Sequence, residues 1–170
     1  MAGRVPRTTQ KIPLNAHLAR FVETLGSMWE GYGLPRGAGR IFGLLLLAAQ
    51  ALSAEEISGT LRVSRSSVST DVRGLLSIGL VERIRVPGDR TGYYVFSPHA
   101  WEHVAAIRSQ EARRYADLAE HTLGALPPGH PGRKGLEEFK EWAVIFGDAV
   151  DRVRMELGAR ARRRAKGTQR

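Results

Sequence analysis

The sequence predicts a mainly α-helical chain that carries one small β-hairpin, and three observations predict it. Apolar residues recur at spacings of three and four in stretches that begin at Asn15, Arg40, Ser97 and Leu136, the periodicity of helices with a buried face. Between the second and third stretches lie two short segments, each opened by a serine, Ser53 and Ser64. These are followed by Glu82–Val86, a turn-rich loop and Tyr93-Tyr94-Val95-Phe96, the pattern of two paired strands.

Asn15 suits the N-cap of the first helix. Leu18, Phe21, Val22, Leu25, Met28, Trp29 and Tyr32 then form one apolar stripe. A glycine-rich run follows, from Gly31 to Arg40, and reads as a bend that lets the next helix pack closely. It is not a phosphate cradle, because no Gly-Lys-Ser/Thr follows it and no strand precedes it. The second helix, Arg40 to about Gln50, is apolar nearly all round. A helix without a polar face belongs in the middle of a domain.

Ser53-Ala54-Glu55-Glu56 is a capping box, in which serine and glutamate satisfy each other's orphan amides. The helix it opens is short, ended by Gly59 and the Leu61-Arg62-Val63 turn. Ser64 caps the next helix, Arg65–Ser77, which Gly79 closes. In Glu82–Val86, Arg83 and Arg85 share one strand face while Ile84 and Val86 share the other. Pro87–Gly92 is a loop of turn residues with Arg90 at its tip. The four segments together describe a helix-turn-helix with a wing.

The composition of the Arg65–Ser77 helix points to nucleic acid. At 100° per residue, Val68, Val72, Leu75 and Leu76 face inward. The opposite face holds Ser66, Thr70 and Ser77, flanked by Ser67 and Arg73, with Arg65 near the start. Small hydroxyl residues are poor helix formers, but they allow close approach and bond base edges or phosphates as donor or acceptor. Ser64, Arg65, Ser66, Ser67, Ser69, Thr70 and Arg73 are therefore candidate DNA contacts, with Ser66, Thr70 and Arg73 nearest the bases. Arg83, Arg85 and Arg90 are candidates for phosphate or minor-groove contact, and Asp89 is placed to orient Arg90. The alternative is a winged helix whose same face docks a protein.

Ser97-Pro98 starts a third long helix, with Ser97 as cap and Pro98 at its first position. It carries Trp101, Val104, Ile107, Tyr115 and Leu118, and dissolves into the Gly124–Gly132 connector. In the last helix, Leu136, Phe139, Ala143, Phe146, Val150, Val153 and Leu157 form a heptad-like seam. This seam and the first helix offer more apolar stripe than one small lobe consumes, so a two-fold homodimer is expected, the alternative being that the two helices pack on each other within one chain. The organisation that follows is a basic tail over 1–14, a dimerisation helix over 15–36 and a winged helix-turn-helix over 37–97. Dimerising helices over 98–158 and a basic tail over 159–170 complete it.

The net charge of +9 belongs to the tails. Arg4, Arg7 and Lys11 stand at one end and Arg160, Arg162, Arg163, Arg164, Lys166 and Arg170 at the other, while all 17 acids lie between Leu14 and Leu157. There are no cysteines, which excludes disulfides and thiolate sites. The apolar run Ile41–Leu52 is too short to span a bilayer, and residues 1–15 contain no signal-peptide core. The expectation is a cytoplasmic protein with no membrane partner.

His99 and His103 are four apart with Glu102 between them, but no third ligand follows at fixed spacing. No metal or other cofactor is expected. A nucleophile with a base, or paired carboxylates, is not evident, so the chain reads as no enzyme. Trp29, Tyr32, Trp101 and Trp142 are the candidate residues of an aromatic pocket for a cationic or aromatic effector, and as helical aromatics they equally suit core packing.

The chain resembles the MarR-type winged-helix regulators, and more narrowly their GbsR-like branch. The resemblance is carried by Gly33-Leu34-Pro35-Arg36-Gly37-Ala38-Gly39-Arg40-Ile41-Phe42-Gly43-Leu44-Leu45, by Leu61–Ser69, and by Gly79–Arg83 with the Pro87-Gly88-Asp89-Arg90 wing. It implies an obligate homodimer, a palindromic double-stranded DNA operator and transcriptional control that often answers to a small molecule. It also places the DNA-facing role on Ser64 to Arg73 and on Arg90. Many such wings read Asp-x-Arg, the aspartate holding the later arginine; here Thr91 stands in that arginine position.

Overall fold

The computed structural model describes residues 14–167, with side chains described as far as residue 163. Arg4, Arg7 and Lys11 of the expected N-terminal tail, and Arg170, lie outside the described residues. The chain divides into two units, one ending at Ala100 and the other starting at Trp101.

The first unit runs α1 (Ala16–Gly31), α2 (Arg36–Leu47), β1 (Leu52–Ser53), α3 (Ala54–Leu61), α4 (Arg65–Ser77), β2 (Val81–Arg85) and β3 (Gly92–Phe96). Asn15 caps α1, its Oδ1 accepting from the Leu18 amide at 3.0 Å. The expected bend over residues 31–40 is shorter than its glycine content suggests, because α2 already begins at Arg36, after Pro35, and ends at Leu47. Gly37 and Gly39 are helical. A Cβ on Gly39 would lie 2.9 Å from Trp29 Cγ and 3.0 Å from both Gly26 Cα and the Leu25 carbonyl oxygen. Glycine is here a condition for the α1–α2 crossing, which outweighs its poor helix propensity.

Helix α2 is the hub the sequence predicts. Ile41, Phe42, Leu44 and Leu45 are buried, and Phe42 packs between Trp29 and Phe96 with ring centroids 5.4 and 5.9 Å away. Arg40 bridges three helices. Its Nε donates to Glu23 on α1 at 2.8 Å, and its Nη2 donates to the Leu61 carbonyl at the end of α3 at 2.9 Å.

The capping box opens α3 as predicted: Ser53 Oγ accepts from the Glu56 amide at 3.2 Å, and Glu56 Oε2 accepts from the Ser53 amide at 2.7 Å. Gly59 does not end the helix. It continues to Leu61, and Arg62 takes the left-handed conformation at φ 54°, the usual way a helix is stopped short. The sheet has three antiparallel strands in the order β1-β3-β2, with Val81 opposite Phe96, Arg85 opposite Gly92 and Leu52 opposite Tyr94. The two-stranded hairpin read from the sequence thus gains a short third strand beside β3.

Ser97 serves the base of the wing. Its hydroxyl donates to Glu82 at 2.5 Å and accepts from the His99 amide at 3.2 Å. The next helix, α5 (Ala100–Ala125), accordingly starts three residues after Ser97, and Pro98 is not its first position.

In the second unit α5 pairs antiparallel with α6 (Arg133–Gly167). Arg133 Nη1 donates to the Leu123 carbonyl at 3.2 Å, Lys140 pairs with Glu120, and Arg113 Nη2 donates to Asp151 Oδ2 at 2.5 Å. The buried line between the helices is mostly of small residues, Ala105, Ser109, Ala112 and Ala119 on α5 with Ala143 and Gly147 on α6, and ends at Leu123. A Cβ on Gly147 would meet that of Ala112 at 3.3 Å. Of the expected seam on α6, only Ala143 is buried; Phe139, Phe146 and Val153 are exposed, and Leu136, Val150 and Leu157 are half-buried. Small side chains let the two axes approach, which leaves the large ones outside. Residues 159–167, read from composition as tail, continue α6. Among the described residues no helix is long and apolar enough to cross a membrane.

Candidate nucleic-acid interface

Helix α4 is held by its apolar face: Val68, Val72 and Leu75 are buried and Leu76 is half-buried. Its start is fixed three ways. Ser64 Oγ accepts from the Ser67 amide at 3.1 Å, Ser58 Oγ donates to the Val63 carbonyl at 2.6 Å, and Arg65 Nη2 pairs with Glu55 of α3 at 2.6 Å. The preceding turn is therefore rigid, and the polar side of α4 is presented in one orientation.

That polar side is open. Ser64, Arg65, Ser66, Ser67, Ser69, Thr70 and Arg73 are all exposed. The hydroxyls of Ser66 and Ser67 lie 2.9 and 2.8 Å from that of Ser64. Arg73 folds back along the helix, with Nη2 at 3.3 Å from Thr70 Oγ1 and Nε at 3.2 Å from the Ser69 carbonyl. These bonds join groups that can exchange intramolecular partners for base edges or phosphate oxygens. The one acid of α4, Asp71, is turned away from this side. Its carboxylate packs on Gly37 of α2, in the space a Cβ would occupy, and burial raises its pKa. The exposed side of α4 therefore carries hydroxyls and cations without a carboxylate of its own.

The wing adds three arginines. Arg83, Arg85 and Arg90 are exposed, and Arg83 lays its guanidinium over Gly92, in the space a Cβ would fill. Gly88 turns the loop at φ 83°. The bonds of Asp89 go to the loop and to β3 and not to Arg90. Oδ1 accepts from the Thr91 amide and Oδ2 from the Tyr93 hydroxyl, each at 2.8 Å. The Thr91 amide, then Tyr93, hold the Asp89 carboxyl below the usual carboxylate range, and Asp89 in turn raises the Tyr93 phenol.

Two residues here carry no mark in the sequence. Tyr93 has the pattern of a β-former, and nothing in one dimension ties it to Asp89. Arg62, used only to mark a turn, is exposed beside the start of α4; its left-handed backbone had no glycine or asparagine to announce it.

The four aromatic candidates for an effector pocket are divided between the two units. In the first unit Trp29 packs on Phe42 while Tyr32 is 80% exposed. In the second, Trp101 borders a groove of about 530 Å³ with Val104, Val153 and Leu157. Trp142 stacks between Phe139 and Phe146, with ring centroids 5.8 and 5.5 Å away. Val153, beside Trp101, is three turns of α6 beyond Trp142, about 16 Å at the helical rise, so one chain does not bring these two tryptophans to one cage. Among the described residues no group of three or more His, Asp or Glu side chains could hold a metal ion.

No family model matches the chain. It is 32% identical to the HTH-type transcriptional regulator MmpR5 of Mycobacterium tuberculosis over 147 residues, 83% of this chain and 89% of that one. It is also similar to a solved structure described as a transcriptional regulator, at 31% identity and a TM-score of 0.72, covering 86% of this chain and 99% of the other. The fold matches that solved structure over nearly its whole length. The chain belongs to the helix-turn-helix transcriptional regulators, DNA-binding proteins.

Proposed function

We propose that this regulator binds a palindromic double-stranded DNA operator as a two-fold homodimer, each subunit laying α4 in a major groove and its wing in the adjacent minor groove. The observation that carries the reading is the exposed, carboxylate-free side of α4, backed by Arg83, Arg85 and Arg90 on the wing. Ser66, Thr70 and Arg73 contact base edges; Arg65 and the wing arginines grip phosphate or the minor groove. Half-sites lie about 34 Å apart, or a multiple of one helical turn.

The dimer is supported by the apolar residues that the α5–α6 pair leaves exposed, with Phe21 and Met28 on α1. Control by a small molecule acts, in this reading, through the spacing of the two heads, and a coupling of roughly 1–3 kcal/mol changes operator affinity about 5–150-fold. Placement in the GbsR-like branch rests on the Gly33–Leu45 segment.

Salt titration of duplex binding, followed by fluorescence anisotropy, tests the electrostatic part. With about four phosphates neutralised per subunit, affinity falls on the order of 10⁴-fold between about 50 and 200 mM salt. A flat response overturns the reading.

A further inference from the structure

We propose that Tyr93 is a positioning residue for DNA binding: its hydroxyl fixes Asp89, and through Asp89 the turn that holds Arg90 outward. The proposal rests on the DNA-binding reading above and assigns the support of its wing.

Three features of the wing carry it. Tyr93 lies in the central strand, opposite Ile84 of β2 on one side and Ser53 of β1 on the other. Its backbone is thus anchored along both edges, and its hydroxyl is a fixed point from which a loop can be held. Asp89 reaches that point at 2.8 Å with one oxygen and with the other closes a turn on the Thr91 amide. Arg90 is the residue enclosed between them. On the near side, the Asp89 amide donates to the Val86 carbonyl at 3.0 Å, and Gly88 supplies the left-handed reversal.

The consequence is a division of labour inside four residues. With its two bonds made to Thr91 and Tyr93, Asp89 supports the turn, and Arg90 is exposed to a partner. In related wings the resemblance implies that a later arginine is held by this aspartate. Here Thr91 occupies that position, offering its backbone amide, and the second bond passes to Tyr93. A wing lacking the tyrosine hydroxyl would still form its strands, but the loop carrying Arg90 would sample more conformations. The cost of ordering it would then fall on the binding step.

The test is a double-mutant cycle on a duplex selected from a random pool, using full-length Tyr93→Phe, Arg90→Ala and the double variant, with Thr91 amide exchange measured in the free proteins. Tyr93→Phe is expected to weaken binding about fivefold to tenfold, the scale of one ordinary hydrogen bond, and to speed exchange at Thr91 while lowering the melting temperature by only a few degrees. In the Arg90→Ala background the same substitution is expected to cost nothing further, because a positioning residue has nothing left to position. An equal loss in both backgrounds, or no loss in the first, overturns the proposal. If the wild-type chain selects no duplex, the DNA-binding reading fails and this proposal falls with it. If wild type binds and Tyr93→Phe changes neither affinity nor Thr91 exchange, only the positioning role fails.

Discussion

In the unit ending at Ala100, Ile41, Leu44, Ile57 and Val68 are at most 1% exposed, whereas in the unit starting at Trp101 the largest apolar side chains are left outside, Trp142 at 51% and Ile145 at 59%. Both units are rich in helical apolar periodicity, yet they use it in opposite ways. The first wraps α1, α3, α4 and a small sheet around α2 and closes its core within one chain. The second has two helices, which meet mainly along alanines, a serine and a glycine, with Leu123 as the one large buried side chain among the described residues. Two helices can bury only one stripe each, and here the stripe they bury is the small one. A winged reading head can be self-sufficient; a helical hairpin with bulky residues outside calls for another surface. That contrast supports the proposed dimer.

Breaking the first unit should have the largest effect. Leu44→Ala removes a fully buried side chain from the hub and is expected to cost about 2–5 kcal/mol, read by denaturant unfolding. Oligomeric state is expected to survive as long as the chain stays folded. Gly39→Ala, which would press a Cβ on Trp29 and on two backbone atoms, is expected to cost about 1–3 kcal/mol.

Breaking the second unit's outer face should do the reverse. Trp142→Asp leaves the reading head intact and is expected to weaken self-association by about 2 kcal/mol or more, roughly 30-fold, as an aromatic anchor at an interface does. Sedimentation equilibrium measures it. If the variant associates as well as wild type, the comparison between the units loses its functional meaning.

Within the reading head, Thr70→Ala and Arg73→Ala should relax preference at particular base positions by about 1–3 kcal/mol. Because Arg73 bonds Thr70 in the free chain at 3.3 Å, their losses should not be additive. Arg85→Ala should weaken all duplexes alike and lower the salt slope by about one. If the three variants behave identically, the split between base reading and backbone grip is wrong.

The smallest effect is a pH dependence in the second unit. The Ser109 hydroxyl, then the Arg113 guanidinium, hold the Asp151 carboxyl below its usual range. The unfolded chain therefore binds this proton more readily, so the contribution is complete above the ordinary carboxylate value and is lost as pH falls through the lower folded value. Asp151→Asn should flatten that acid limb of thermal stability.

The sequence made the reading head legible almost throughout, because its signals are local. The Ser53–Glu56 box, the Ser64 cap and the inward line of Val68, Val72 and Leu75 each decide structure within one or two turns. Where the reading missed, a distant contact had the deciding role. The glycines at 37 and 39 look like a loop until Asp71 and Trp29 are placed against them. Tyr93 looks like a strand residue until Asp89 comes within reach. The α6 seam was visible as a helix face, but periodicity states that a face will be covered and not by what. Basic residues 160–166 have the charge density of a tail, but arginine and lysine are good helix formers and α6 continues through them.

The central claim is that the open side of α4 reads DNA in two symmetric copies. Selection of bound duplexes from a random pool tests it most directly. Enrichment of a palindromic motif, with half-sites about one helical turn apart and weakened at defined positions by Thr70→Ala, is the predicted result. Recovery of sequences with no shared motif would contradict it.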